Sequence, residues 1–161
     1  MKPILRVAIW TSDLHYCANR IGEWVAPLGL RLLLAYEFLE SGLEKFHGEN
    51  WFADIQDRFP FPFSLIPPEI SWQIATWTEL LGPVALALGL ATRLTSVSLV
   101  VLTVVAWVSV HAGNGYNVAE NGWKLPLIYL IMFTPLLLNG AGRLSLDHVV
   151  ARCLRKKLPI A

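Results

Sequence analysis

The chain has 161 residues, of which 55% are hydrophobic and 16% are charged, and its mean hydropathy is +0.50. This composition excludes an ordinary soluble domain, which is less apolar and richer in charge. The formal net charge of +1 gives no basis for a nucleic-acid partner. Cys17 and Cys153 stand in no metal-ligand spacing, so neither a disulfide nor a Cys-Xaa-Xaa-Cys redox centre is expected.

Four long apolar segments account for the high hydropathy: 25–46, 73–91, 94–112 and 123–141. At ~1.5 Å per residue, helices of this length reach roughly the ~30 Å thickness of the bilayer hydrocarbon. The alternative is a soluble bundle of buried helices, but so short a chain lacks the polar surface to cover four such segments. We therefore predict an all-α membrane protein with one domain, 1–161, built as a four-transmembrane-helix bundle.

Amphipathic segments are predicted at both ends of this bundle. Residues 1–24 alternate apolar with polar side chains, which is typical of a segment lying on the membrane surface. The apolar run that ends at Trp10 is too short for a cleavable signal peptide. Residues 144–158 predict a helix with apolar residues on one side and basic residues on the other, suited to anionic lipid.

The distribution of basic residues predicts the orientation. They concentrate in the amino-terminal segment, the turn between the second and third spans, and the tail: Lys2, Arg6, Arg20, Arg93, Arg143, Arg152, Arg155, Lys156 and Lys157. The connection 46–72 is acidic instead, with Glu49, Asp54, Asp57 and Glu69 against the single Arg58. The positive-inside rule then predicts a multi-pass protein of the cytoplasmic membrane with both termini in the cytoplasm.

The connection 46–72 is the longest in the chain. Its first part, 50–58, is predicted to form a short helix capped by Asn50. The sequence FPFPFSLIPPE that follows excludes regular helix or strand because of its prolines. Its aromatic residues suit a membrane interface, and the segment is either an anchoring loop or a lid over a site that opens outward. We favour the lid, because long ordered loops are usually functional.

Acidic residues inside the apolar segments are the main functional signal. Glu37, Glu40 and Glu44 fall within about 60° of one another on the first predicted helix. Counting ~1.5 Å per residue from the outer surface brings Glu79 near the level of Glu40. By the same count, His111 lies near Glu44, and Tyr129 lies close to Glu79. We predict that the four acids and His111 share a polar pocket in the outer half of the membrane.

An ionised side chain at mid-membrane costs ~2.5–3.5 kcal/mol, so these acids must be protonated, paired, hydrated or bound to a cation. The candidate proton-handling or catalytic residues are Glu37, Glu40, Glu44 and Glu79. The candidate ligand-binding residues are Arg31, Tyr36, Lys45, Trp107, His111 and Tyr129. For Arg31, Lys45 and Glu79 the alternative is a structural ion-pair network, with Arg31 nearer the cytoplasm. For Tyr36 and Tyr129 it is packing.

A metal site is a further alternative. His47, His111 and Glu44 are candidate ligands for Cu(II), Zn(II), Mn(II) or Fe(II), because carboxylate and imidazole without sulfur form a hard-to-borderline site. Copper(I) prefers sulfur, which the outer half lacks. By themselves, His47 and His111 would more often be interfacial hydrogen-bonding residues.

The sequences LRLLLAYEFLESGLEKF and TELLGPVALALGLATRLTSVSLV resemble the DoxX family of small four-helix membrane proteins, and the resemblance covers 28–142. Further runs, EKFHGENWFADIQDRFPFPF, VSVHAGNGYNV and GWKLPLIYL, resemble a branch associated with maturation of copper-binding ribosomal peptides (the Hvf or bufferin type). The family's links to quinone-dependent oxidation and oxidative stress imply a quinone as one candidate cofactor. The carboxylate and imidazole residues named above make a divalent transition metal the other candidate, and the cofactor is left open.

On this resemblance the partners would be the lipid bilayer, a copper-binding peptide and its maturation proteins, with a homo-oligomer left open. The acids would handle protons in a quinone-linked oxidoreductase component. The alternative is a scaffold or small transporter for the peptide or metal, without redox chemistry. Enzymatic activity and the substrate stay open, since family resemblance alone does not establish a reaction.

Overall fold

Five α-helices dominate the computed structural model, which describes the backbone of residues 3–157 and the side chains of residues 12–156. They are α1 Pro3–His47, α2 Pro68–Leu88, α3 Thr92–Ala106, α4 Lys124–Asn139 and α5 Leu146–Lys157. A π-helical turn, Trp107–His111, extends α3. The described residues contain no β-strand, and the predicted all-helical class is confirmed.

The first four helices pack in a ring, in which α1 contacts α2 and α4, and α3 contacts the same two helices. The three-residue connection 89–91 makes α2 and α3 antiparallel neighbours. The centre of the ring is filled by fully or nearly fully buried apolar side chains: Leu34, Phe38, Leu86, Leu99, Phe133 and Leu136. Their close packing stabilises the contacts between the helices.

Helix α1 differs most from its prediction. The surface segment 1–24 and the span 25–46 were expected to be separate, but α1 runs without a break from Pro3 to His47. Pro27 lies inside it and removes one backbone donor without ending the helix. α2 begins at Pro68 rather than at 73, because a proline is well suited to the first helical turn.

The outward faces of the helices are rich in aliphatic side chains. Exposed members on the four packed helices include Leu32, Leu33, Leu81, Val104, Ile131 and Leu138. By length and composition, one described helix, Thr92–His111, could cross a membrane, and Lys124–Asn139 is apolar but shorter. Charged residues lower the apolar character of α1 and α2, so the four-span topology stays a prediction.

The turn between α2 and α3, residues 89–91, is held by polar contacts. Arg31 is completely buried, and its guanidinium donates to the carbonyl oxygens of Ala87 and Leu144. Asp147, in the first turn of α5, accepts from the backbone N–H of Ala91 at 2.7 Å and of Thr92 at 2.8 Å. These contacts satisfy backbone groups that a helix end leaves unpaired. The turn clamp, Arg31 with Asp147, thereby joins α1, α2, α3 and α5.

A substitution at Gly89 tests the role of the turn clamp in stability. Its φ is +66°, and a Cβ at this position would lie 2.0 Å from Arg31 Nη1. A left-handed backbone costs a non-glycine residue ~1–2 kcal/mol, and the clash adds to this. We expect Gly89→Ala to lower the free energy of unfolding by at least ~2 kcal/mol, measured by denaturant titration in detergent micelles.

The matched control is Gly29→Ala in α1, where a Cβ would meet no atom within 4 Å. This variant should be neutral, or more stable by ~0.5–1 kcal/mol, because alanine favours helix. Equal effects of the two substitutions would contradict the role assigned to the turn clamp.

Candidate functional site

A cavity of about 660 Å³ lies between the four packed helices, at the end opposite the turn clamp. Its wall is mostly apolar, and a roof over it comes from the loop between α1 and α2, with Trp51, Phe52, Phe59 and Phe63. The volume lies in the ~300–1,000 Å³ range of small-molecule sites, which combine an apolar lining with a few placed polar groups.

The cavity wall contains a buried ion pair between α1 and α2. Lys45 Nζ lies 2.7 Å from Glu79 Oε2, and the two side chains are only 14% and 3% exposed. Lys45 also donates to Ser41 Oγ at 2.8 Å, while the Ser41 hydroxyl is 3.4 Å from Glu79 Oε1. The three side chains form one connected network, which we call the Lys45–Glu79 network.

Gly42 brings α1 close enough to α2 for this network. A Cβ at position 42 would lie 2.7 Å from both the carbonyl carbon and the carbonyl oxygen of Glu79. Ser41 and Lys45 are separated by four residues and therefore lie on one face of α1. Ser41 and Gly42 were not among the predicted site residues. Their sequence signal is a small pair, Ser-Gly, inside an apolar helix and one turn before a lysine.

A second polar pair joins α1 to α4. Tyr129 OH donates to Glu37 Oε2 at 2.5 Å, and both residues line the cavity. The Tyr129 ring also packs on Phe38, with centroids 5.6 Å apart. Packing was the alternative role for Tyr129 in the sequence analysis, and it accounts for only part of the contacts that Tyr129 makes. Its hydroxyl gives Glu37 a donor at the cavity wall.

Most of the predicted pocket residues line this cavity: Glu37, Glu44, Lys45, Glu79, His111 and Tyr129. The expectation for Glu40 is corrected, because its side chain is exposed and lies outside the cavity wall. One helical residue is a rotation of ~100°, which turns Glu40 away from the face centred on Ser41.

Three candidate ligand-binding residues also lie elsewhere. Arg31 belongs to the turn clamp, where its donors meet carbonyl groups rather than a cavity. Tyr36 is exposed on the outer face of α1. Trp107 stacks on Trp123, with centroids 5.5 Å apart and an interplanar angle of 8°. None of the three is part of the cavity wall.

The predicted metal ligands do not meet in one place. His47 is exposed and its Nδ1 is 2.9 Å from Leu43 O, whereas His111 Nδ1 is 2.8 Å from Asn121 O. Across side chains 12–156, no three or more histidine, cysteine or acidic groups are placed to hold a metal ion. The set of His47, His111 and Glu44 is therefore not assembled in this structure.

The roof is an ordered aromatic layer. The predicted short helix is present as a 3₁₀-helix, Phe52–Arg58, and Asn50 Oδ1 accepts from the Phe52 N–H at 2.9 Å. The Phe52 ring lies edge-on to Trp72 and to Phe59, with centroids 5.0 and 5.2 Å away. The layer contacts α2 and the π-helical turn, so it covers the loop end of the cavity. Its opening as a lid stays a prediction.

Removing one member of the buried ion pair should destabilise the fold more than removing both members. Lys45→Met leaves the Glu79 carboxylate buried without its cation, and such a loss typically costs ~3–5 kcal/mol. The double variant Lys45→Met/Glu79→Leu leaves no unpaired charge and should be clearly more stable than Lys45→Met. Denaturant titration in detergent micelles measures the free energy of unfolding of both variants.

The control pair is Arg143 and Glu23, whose atoms are also 2.7 Å apart but whose side chains are 44% and 53% exposed. Arg143→Met should cost less than ~1 kcal/mol, because water and salt screen an exposed pair. If Lys45→Met lowers the free energy of unfolding by no more than Arg143→Met does, burial does not strengthen the Lys45–Glu79 network.

Comparison with known proteins places this chain among small bacterial relatives. A family described as DoxX matches residues 26–112, which include the second half of α1, the roof, α2, α3 and the π-helical turn. An uncharacterized protein of Haemophilus influenzae is 54% identical over 132 residues, covering 82% of this chain and 87% of the relative. A second is 29% identical over 127 residues, covering 74% and 86%. No solved structure matches the chain.

Proposed function

This chain belongs to the DoxX family, and from that premise we propose that it is a multi-pass membrane protein that binds a quinone in its cavity. The family is membrane-associated. The aliphatic side chains exposed around the helix ring support lipid contact on all sides of the bundle. The basic residues support an orientation with both termini in the cytoplasm and the roof outside.

The proposal of a quinone rests on one observation: the wall of the mostly apolar cavity contains two hydrogen-bonded carboxylates. A quinone has an apolar ring and two carbonyl oxygens, which accept hydrogen bonds and take up protons on reduction. Lys45 has three N–H donors and retains one for a quinone oxygen, whereas the single Tyr129 O–H would have to turn from Glu37 to the second oxygen. Glu79 and Glu37 are the proton carriers of the proposal. Glu37 and Lys45 are eight residues apart, so the two polar pairs lie within ~12 Å of each other along α1.

The chain's own contribution would be binding, orientation and proton exchange. Reduction of a quinone to a quinol consumes two electrons and two protons. The sequence has no haem-ligand pair, cysteine cluster or Gly-rich dinucleotide fingerprint, so the electrons would come from a separate redox protein.

A role in copper and oxidative-stress handling extends this proposal. Its support is the resemblance of 44–63 and of the α3–α4 loop to proteins of copper-binding peptide systems. In that role a copper-binding peptide and its maturation proteins would be partners of the outer face. The competing function is a scaffold or transporter for the peptide or metal, in which the polar pairs only fix helix packing.

Quinone binding is tested with two glutamates of α1. Glu37→Gln removes the charged acceptor of the Tyr129 hydroxyl. We expect the Kd for ubiquinone or menaquinone in nanodiscs to rise at least ten-fold. A ten-fold change corresponds to ~1.4 kcal/mol. Glu40→Gln is the matched control, because Glu40 lies outside the cavity wall, and its Kd should stay within two-fold.

Equal effects of the two variants on the quinone Kd would show that the quinone does not bind in the cavity. Wild-type protein that binds neither quinone, together with no bound metal after purification, would favour the scaffold.

The orientation is tested by labelling single cysteines with a membrane-impermeant maleimide. Pro60→Cys, in a chain with Cys17 and Cys153 replaced by serine, should react from outside intact spheroplasts because residue 60 lies in the roof. The native exposed Cys153, retained alone, should react only after the membrane is opened. Labelling of position 60 only from the cytoplasm would contradict the orientation.

A further inference from the structure

The cavity wall reaches the protein surface in two regions. One is at the loop end, where Glu44, Trp51 and Leu125 are exposed. The other is on the side of the bundle, where α2 contributes exposed Ile74 and α3 contributes exposed Val97 and Val101. The cavity therefore has a side opening between α2 and α3, which we call the portal.

The rim of the portal is apolar. Ile74, Val97 and Val101 carry only hydrocarbon, and Thr78 and Ser98 are the neutral polar residues beside them. On α3, Val101 is followed by the exposed Val104 and Val108, so the portal is continuous with the outward aliphatic surface. A charged solute would lose its hydration on passing such a rim, whereas a lipid-soluble molecule would not.

Helix lengths place the portal in the middle of the bundle. Thr78 is ten residues from the start of α2 at Pro68, a distance of ~15 Å. Val101 is nine residues from the start of α3 at Thr92, ~14 Å from the opposite end of the bundle. These depths fall near the centre of a ~30 Å hydrocarbon layer.

The loop end has the opposite character. Trp51 and Phe52 pack edge-on against Trp72 of α2, and Phe52 also packs edge-on against the buried Phe59. Passage there would require these rings to separate. The side opening needs no such separation, because its rim residues are already exposed in the closed arrangement of the roof.

We propose that the cavity is loaded sideways from the bilayer through this portal, and that its ligand is a lipid-dissolved molecule whose apolar tail lies between α2 and α3. The proposal rests on the proposed quinone function for the head group and adds the route and the tail. The polar head then meets the Lys45–Glu79 network inside, while the tail keeps contact with lipid. Water-soluble quinone analogues without a tail fill the same site and lack the tail contacts.

The first test narrows the portal by Val101→Trp. Val101 is 42% exposed and lines the cavity, whereas Val104, on the same helix, is 41% exposed and does not. Val104→Trp is therefore the matched control. We expect Val101→Trp to slow the transfer of a long-tailed ubiquinone from vesicles to the protein at least ten-fold, with Val104→Trp within two-fold. Equal transfer rates in the two variants would overturn the portal.

A second readout needs no quinone. A phospholipid that carries a diazirine at the end of its acyl chain should label Thr78 at the rim and Leu102 in the cavity behind it, on illumination in vesicles. Mass spectrometry of the labelled chain should show at least a five-fold loss in Val101→Trp and none in Val104→Trp. Absence of label from Thr78 and Leu102 in the wild type would overturn the portal.

The two readouts separate the two proposals. Acyl-chain labelling behind the rim with no quinone binding in the wild type would sustain the portal and reject the quinone function. Quinone binding that is unaffected by Val101→Trp, with no acyl-chain labelling, would sustain the quinone function and reject the portal.

Discussion

The close contact of α1 with α2 at Gly42 determines how this bundle carries charge in its interior. With hydrogen as the side chain, the Glu79 backbone can approach, and Lys45 and Ser41 then reach the Glu79 carboxylate. Removing one partner of a buried ion pair typically costs ~3–5 kcal/mol, so pairing is what makes the two buried charges tolerable. The same contact fixes one wall of the cavity and directs its polar groups inward.

The bundle separates two polar centres that have different roles. Arg31 and Lys45 are fourteen residues apart on α1, ~21 Å along the helix, and the apolar core lies between them. Arg31 is saturated by carbonyl groups and closes the α2–α3 turn, where no cavity adjoins it. The Lys45–Glu79 network instead borders about 660 Å³ of space. Both basic residues therefore join helices, but only Lys45 lies next to a space that can receive a ligand.

Depth counting along helices could predict much of the site. It placed Glu79, His111 and Tyr129 at the level of the α1 acids, and all three line the cavity. It could not predict the Glu40 side-chain direction, because helical periodicity gives relative angles but not which face meets a neighbour. Gly42 escaped prediction since a close approach depends on the distance between two helix axes. Likewise, no local pattern connects Asp147 with a turn 55 residues away.

The most direct measurement of this account is solid-state NMR of the wild-type protein in lipid bilayers, with and without a quinone. We expect a through-space correlation between Lys45 Nζ and the Glu79 carboxyl carbon, and a shift of both signals when quinone is added. The signals of Arg143 and Glu23, an exposed pair far from the cavity wall, should not change. Absence of the Lys45–Glu79 correlation, or signals that do not respond to quinone, would contradict the central claim.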